Sequence, residues 1–360
     1  MVASAAVDRN ERVRLGVTRW CEQAAGPSEL LEGVAKRLRP VLGHEAGAWL
    51  VTDPDTVLFT DGYVEGFAEE TCHPWFHHEL QVPDVATFAE LARSREPVAV
   101  LSRVADGGVT SSARWRGVLE PSGFGREVRV VFREGATTWG VASVHRSTGA
   151  PDFTREDARL LASLSSVVAR GLRQLVVRRQ VACADLDGPG LLLVGPDRIA
   201  RAATPTGERW LEALGAPHGA LRHPWLHTLG VLATSGTASR RRVRVRAEDG
   251  RWVTLHAERM DDPASLFAVI VEPSRPSDIA GLVALAYGLS SRELELVQAL
   301  ARGESTGAMA DRLCISVHTV RHHLKSVFDK TGVGSRSELL ARLFNDHYSE
   351  QFGSRVVTDH

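Results

Sequence analysis

Cysteine is scarce in this chain of 360 residues, and the four present, Cys21, Cys72, Cys183 and Cys314, stand far apart. None has the paired spacing of a zinc cage or a disulfide framework, which predicts reduced thiols of the cytosolic kind. Neither sign of charge is in excess: 43 Lys and Arg against 44 Asp and Glu leave a net charge of −1. Any nucleic-acid surface must then be a local basic stripe. No run approaches the roughly 18 uninterrupted apolar residues of a membrane span, and no apolar core follows a basic start at the amino terminus. The expectation is a cytoplasmic protein with no membrane partner. Glycine-rich phosphate loops are missing too, and the hydroxyl, histidine and acidic residues form no recognisable nucleophile motif. The chain therefore reads as a non-enzyme, with no cofactor implied.

What is present is an ordinary soluble composition, 43% hydrophobic and 24% charged, long enough for two or three domains. Residues 1–24 are a lead-in, a helix through Val13, Val17 and Trp20 with no assigned role. From 25 on, a helical stretch Glu29 to Arg39, a strand-like run Ala46 to Thr52 and two β-rich runs, Glu127 to Phe132 and Thr138 to His145, predict a mixed domain of sensor size. A long helix follows from Thr154 to about Val181, with Asp157 three residues after Thr154 as a capping-box variant. Its seam of Leu161, Leu164, Val168 and Leu175, broken at Gly171, either packs on its own domain or pairs with a second chain. After a linker at Asp185 to Gly190, strands Leu191 to Val194 and Ile199 to Ala203 and a helix Gly207 to Leu214 open another domain. Arg242 to Ala247 alternates arginine with valine, turns at Asp249-Gly250 and returns over Trp252 to His256, a hairpin with one buried and one wet face. Leu266 to Val271 makes a last strand, and Glu272 to Ser277 reads as a linker.

Four short helices come next. Ser290 with Glu293 is a capping box, Leu296, Val297, Leu300 and Ala301 share one face, and Gly303 ends the first helix. Ser305 caps a second helix carrying Met309, Ala310 and Leu313 inward, Cys314-Ile315 makes a tight turn, and Ser316 caps a third helix with the inner stripe Val320, Leu324 and Val327. Gly332 ends it, and Ser335 with Glu338 starts a fourth helix with Leu339, Leu340, Leu343 and Phe344 inward. Two helices joined by so tight a turn form a helix-turn-helix unit. The third displays His318, Thr319, Arg321, His322, Lys325 and Ser326 outward. Arginine and lysine there can reach guanine O6 and N7, while hydroxyls, Lys330 and the helix start can hold phosphates. A charge run on a helix is more often a solvated face; its place opposite the apolar stripe, on the second helix of a turn-linked pair, reverses that reading.

Gly288-Leu-Ser-Ser-Arg-Glu293, Ala301-Arg-Gly303, Ile315 to Lys325 and Lys330-Thr-Gly-Val-Gly-Ser-Arg336 together resemble the LuxR/FixJ DNA-binding domain over its whole length. The resemblance implies that Arg321, His322 and Lys325 face base edges and that Ser316, Thr319 and His323 contact the backbone. The chain departs from it at Thr306, where asparagine is usual, and at Ala308, where glutamate is usual, so the second helix lacks a full capping box. Further forward, Trp139 to His145 with Pro151 to Asp157 is similar to the end of GAF domains, and residues 188–275 are similar to a PAS domain. The expected fold is multidomain α+β: a lead-in (1–24), a GAF-like sensor domain with linker helix (25–182), a PAS-like domain (188–275), an all-α four-helix LuxR-type helix-turn-helix domain (283–345) and a polar tail (346–360). No receiver phosphoacceptor, acyl-homoserine-lactone pocket or cysteine-containing flavin motif is recognisable.

Two histidine-bearing aromatic patches stand out, Cys72-His73-Pro-Trp-Phe-His77-His78 and His223-Pro-Trp-Leu-His227. Cysteine and histidine can ligate metal or haem, but no carboxylate or second cysteine lies at ligand spacing, so both read as packed aromatic segments and no metal is assigned. The expected function is that of a transcriptional regulator: a homodimer on double-stranded DNA, its front end taking a small-molecule effector, with RNA polymerase as a further partner. Two alternatives stay open, a ligand-free regulator controlled by protein contact and an enzyme-like front domain fused to a DNA-binding module.

Overall fold

The computed structural model describes residues 2–178, 188–215, 224–234, 242–261 and 265–345, for 2–8, 234, 276–277 and 344–345 the backbone alone. The linker at 185–187, the helix end beyond 178 and the tail from 346 lie outside the described residues. The chain divides into two compact units, one holding two β-sheets and one holding the helices from Pro273 onward.

The first unit opens with α1 (Val2–Gln23) and α2 (Pro27–Leu42), then β1 (Ala46–Thr52), β2 (Phe59–Glu65), α3 (Glu69–Gln81), α4 (Phe88–Arg93), β3 (Val98–Val100), α5 (Leu101–Val104), β4 (Phe124–Glu134), β5 (Thr137–Ser147) and α6 (Arg155–Arg178). The strands form an antiparallel sheet of order β2-β1-β5-β4-β3. α1 is part of this fold: Val17 and Cys21 are buried, and Trp20 Nε1 donates to the Leu30 carbonyl at 3.0 Å.

α6 begins as the sequence indicates. Thr154 N–H donates to Asp157 at 2.8 Å and Asp157 N–H to the Thr154 hydroxyl at 3.1 Å, a reciprocal cap. The helix lies on the sheet, where the Ser165 hydroxyl donates to the Val131 carbonyl at 2.6 Å. By length and composition alone it could cross a membrane. Its seam residues Leu161, Leu164, Val168 and Leu175 are all buried within this chain. Of the two readings of that seam, the structure supports packing on its own domain. The break at Gly171 is explained as well, since a Cβ there would lie 2.8 Å from Cys21 Cβ and 2.9 Å from Leu30.

The second sheet contains β6 (Gly190–Val194), β7 (Ala200–Ala203), α7 (Pro205–Ala213), α8 (Pro224–Thr234), β8 (Arg242–Arg246), β9 (Trp252–Arg259) and β10 (Phe267–Pro273), with strand order β7-β6-β10-β9-β8. Leu192, Val269, Val253, Leu255, Val243 and Val245 face Trp210 of α7 and Leu226 and Leu229 of α8.

The two sheets are not beads on a string. Leu58, between β1 and β2, is buried in the core of the second sheet, and Val231 of α8 is buried in that of the first. Thr228 in α8 donates to the Phe59 carbonyl at 3.1 Å. The wet face expected for the Arg-Val hairpin is corrected at one position: Arg244 is buried and grips both carboxylate oxygens of Asp53 at 2.7 Å. A buried guanidinium is tolerable only when paired in this way, so β8 is fixed to the β1–β2 turn.

The second unit has α9 (Pro276–Ala286), α10 (Ser291–Ala301), α11 (Thr306–Leu313), α12 (Val317–Thr331), α13 (Arg336–Leu340) and a closing turn, Ala341–Asn345. The linker expected over Glu272 to Ser277 is shorter than it looked, because Pro276 occupies the first turn of α9, where its missing N–H costs nothing. Val283 and Ala284 of α9 join Leu296, Leu300, Met309, Val320, Leu324, Val327 and Leu339 in one core.

Candidate nucleic-acid interface

The geometry of α12 is set from α10. Ser290 caps α10 in a complete capping box: its hydroxyl accepts from Glu293 N–H, and Glu293 Oε2 accepts from Ser290 N–H at 2.7 Å. The same carboxylate reaches across to α12, accepting from the Ser326 hydroxyl at 2.7 Å and from Lys330 Nζ at 2.6 Å. Burial works to raise the Glu293 carboxyl, but the hydrogen bonds from Lys330, Ser290 and Ser326 bring it down to about 2. One ionised side chain thus caps the first helix and holds the third.

The tight turn depends on backbone conformation. Cys314 takes φ 53° and ψ 42°, the left-handed region, and closes α11, while Ile315 N–H returns to the Ala310 carbonyl at 3.0 Å. Ser316 then caps α12, accepting from Thr319 N–H at 3.0 Å, and the two hydroxyls lie 2.8 Å apart. Arg292 ties the end of α11 to α10 through the Leu313 carbonyl at 2.6 Å. At the start of α11, Ser305 accepts from Ala308 N–H without a reciprocal acid. Other bonds brace that corner: Glu304 pairs with Arg302 and Arg312, and Arg336 donates to Thr306.

Val320, Leu324, Val327 and Thr331 are buried on one side of α12, and His318, Arg321, His322 and Lys325 are exposed on the other. Among the described residues no hydrogen bond or ion pair ties Arg321 or Lys325, so both long cations are available to a ligand. Ser316 is exposed at the helix start, and Thr319 and His323 are half-buried on its flanks. Ser326 and Lys330 stand apart from this group, since both are spent on Glu293.

The histidine patches come together elsewhere, on α3 and α8. His227 stacks on Phe76 at 4.9 Å and lies 6.3 Å from His73, which receives a hydrogen bond from Arg198. Burial and the adjacent Arg198 push both histidines down to about 4, so they are neutral near pH 7. Among the described residues no group of three His, Cys, Asp or Glu side chains could hold a metal ion.

A polar cluster that the sequence reading missed lies on the first sheet beneath α3 and α4. Arg114 pairs with Glu127 at 2.8 Å and with Asp84 at 3.3 Å, and Arg129 pairs with Glu79 at 2.5 Å. The Ser143 hydroxyl donates to Glu127 at 2.8 Å and lies 2.9 Å from His145 Nε2. Although burial works to raise Glu127, Arg114 and Arg129 hold it ionised, well below the usual carboxylate range. Burial pushes His145 down to about 4. The alternation Glu127-Val-Arg129-Val was the available signal, but it has the look of a half-wet strand.

Residues 288–343 match the family described as bacterial regulatory proteins, luxR family. The chain is 29% identical over 123 residues to the probable transcriptional regulatory protein SgaR of Hyphomicrobium methylovorum, a match covering 31% of this chain and 55% of that protein. It therefore spans about half the length of that curated relative. Among solved structures, Escherichia coli SdiA aligns over 91% of this chain and 94% of its own, with 12% identity and a TM-score of 0.36. The chromophore-binding domain of Stigmatella aurantiaca bacteriophytochrome aligns over 46% of this chain and 59% of its own, with 16% identity and a TM-score of 0.29.

Proposed function

We propose that this chain, whose residues 288–343 form a LuxR-family helix-turn-helix domain, is a transcriptional regulator that places α12 in the major groove of duplex DNA. The observation that carries the reading is the exposed row His318, Arg321, His322 and Lys325 on the helix after the tight turn, opposite a fully packed stripe. Arg321, His322 and Lys325 read base edges, and Ser316, Thr319 and His323 approach the phosphates at the helix start. Lys330 and Ser326 act one step back, holding α12 through Glu293.

The front of the chain is read as the sensing part, a GAF-like domain over 25–182 and a PAS-like domain over 188–275, working in the cytoplasm. A small-molecule effector there shifts the balance between two arrangements of the DNA-binding domains, which requires that it bind one arrangement better than the other. The regulator acts as a homodimer on a two-fold related site. Because the α6 seam is already buried inside the chain, the dimer uses another surface.

The test is a titration of labelled duplex with the full chain and with a fragment starting at Pro273, which keeps α9 whole. Linked half-site contacts raise effective concentration, so the full chain is expected to bind at least about tenfold more tightly. Equal affinities would remove the dimer, and absence of binding by both would remove the regulator.

A further inference from the structure

Exposed apolar side chains gather on one face of the second sheet. Among the described residues the large apolar side chains that are exposed are Leu15, Val104, Leu191, Met260, Ile270 and Val317. Leu15, Val104 and Val317 lie on three separate helices, and apolar residues scattered singly need no explanation, whereas contiguous ones mark an interface. Leu191 and Ile270, 38% and 44% exposed, stand directly opposite each other on β6 and β10. On the next outward rung Leu193 stands between Ala268 of β10 and Ala202 of β7, and all three are at least partly exposed. Strand residues alternate between faces, and Leu192, Val194, Val269 and Val271 fill the core, so this is the outer face.

The first sheet's domain closes that outer face only at its far end. On β8, Arg244 reaches Asp53 and Arg246 donates to the Leu175 carbonyl at 2.9 Å. The open part, over β7, β6 and β10, is uncharged at its centre. Beside β7 exposed Arg201 pairs with Asp197, and on β9 stand exposed Glu258 and His256, the latter 3.2 Å from Glu272. Neither edge has an excess of base, so an anionic partner such as duplex DNA or an acidic lipid surface finds no attracting field here.

A second copy of the same face does match. A two-fold axis running along the strands between β6 and β10 keeps each rung and exchanges the two columns. Leu191 of each copy then faces Ile270 of the other, and the large Leu193 faces the small Ala268. The same rotation lays the β7 edge over the β9 edge and brings Arg201 towards Glu258.

We propose that the outer face of β7, β6 and β10 is the self-association surface of this chain, and that its occupant is the same face of a second copy. The proposal rests on the homodimer of the regulator reading and names its surface. Three strands about 4.8 Å apart, with about five residues of about 3.4 Å each, cover roughly 14 by 17 Å, well below a standard interface. The association is therefore weak, in the micromolar range, and is reinforced when both copies hold one duplex.

The test is sedimentation equilibrium of the full chain without DNA from about 1 to about 100 µM, a span that brackets a weak interface. Wild type is expected to pass from monomer to dimer across it. Leu191→Lys and Ile270→Glu each set a charge against an apolar residue of the other copy and should weaken self-association at least about tenfold. Both sites are exposed, so the fold, checked by circular dichroism, is expected to survive. An equimolar mixture of these two variants should associate again, because the introduced lysine meets the introduced glutamate at one contact while Leu191 keeps Ile270 at the other. Leu15→Lys, on α1, should associate as wild type does. Should a charged variant not fold, Leu191→Ser and Ile270→Ser take its place with the same expected direction. The proposal is overturned by a wild-type chain monomeric throughout, which leaves the face to a different partner, by a dimer untouched by either substitution, by a mixture that stays monomeric, or by an equal loss from Leu15→Lys. An untouched dimer removes this surface and keeps the homodimer reading, whereas a chain monomeric both here and on labelled duplex removes both.

Discussion

Replacing buried Glu293 by glutamine should weaken the helix-turn-helix domain markedly. The carboxylate accepts from Ser290 N–H, Ser326 and Lys330, which brings it from an ordinary 4.5 to about 2. Each pKa unit is worth about 1.4 kcal/mol, so the full linkage amounts to about 3 kcal/mol. The Lys330 end is 37% exposed and partly screened by water, which lowers the expectation to about 2 kcal/mol. A depressed carboxyl stabilises the fold fully above its unfolded pKa of 4.5, and that contribution drains away as pH falls through about 2. Urea unfolding of the Pro273 fragment, with and without Glu293→Gln, should show the two proteins about 2 kcal/mol apart at pH 7. The gap should narrow on acidification below pH 4.5. A difference under about 0.5 kcal/mol at pH 7, the range of ordinary surface substitutions, or a gap insensitive to pH, would refute this account of how α12 is held.

Further predictions concern the sheet-bearing unit. Leu164→Lys with Val168→Lys places two charges in a core where both residues are fully buried. The double variant should therefore lose the fold by circular dichroism instead of merely dissociating; a folded protein of lower sedimentation mass would return α6 to the dimer interface. Arg244→Met should cost about 3–5 kcal/mol by leaving Asp53 buried and unpaired, and Arg244→Met with Asp53→Asn clearly less. Additive losses in that double-mutant cycle would mean that the two sheets are not coupled through this pair.

Local bonding was the most legible part of the sequence. Ser290 with Glu293 and Thr154 with Asp157 announce helix starts because a cap needs only residues three apart. The stripe of Val320, Leu324 and Val327 announces α12 because a helix repeats every 3.6 residues. What stayed hidden depends on partners far along the chain. Arg244 has the pattern of a wet residue until Asp53, 191 residues away, is placed beside it. The two histidine patches looked independent until α3 and α8 met. The ion pairs of Glu127 and Arg129 stayed hidden because their cover, α3 and α4, is itself disguised: Pro74 interrupts the helical pattern of α3. In the DNA-binding domain Lys330 looked free because its position says nothing of Glu293, 37 residues earlier. The start of α9 was masked by Pro276, read as a linker residue when it occupies a first helical turn.

The most direct test of the central claim is binding selection on randomised duplexes with the full chain, Arg321→Ala, Lys325→Ala and Lys330→Ala, each repeated over a salt series. If α12 reads the major groove as proposed, Arg321→Ala and Lys325→Ala each relax preference at a distinct position, at a cost of about 1–3 kcal/mol. Lys330→Ala should leave the selected sequence intact and weaken all duplexes alike. Selection of the same sequence by wild type, Arg321→Ala and Lys325→Ala would contradict the assigned helix face, and failure of the wild-type chain to enrich any duplex would contradict the regulator itself.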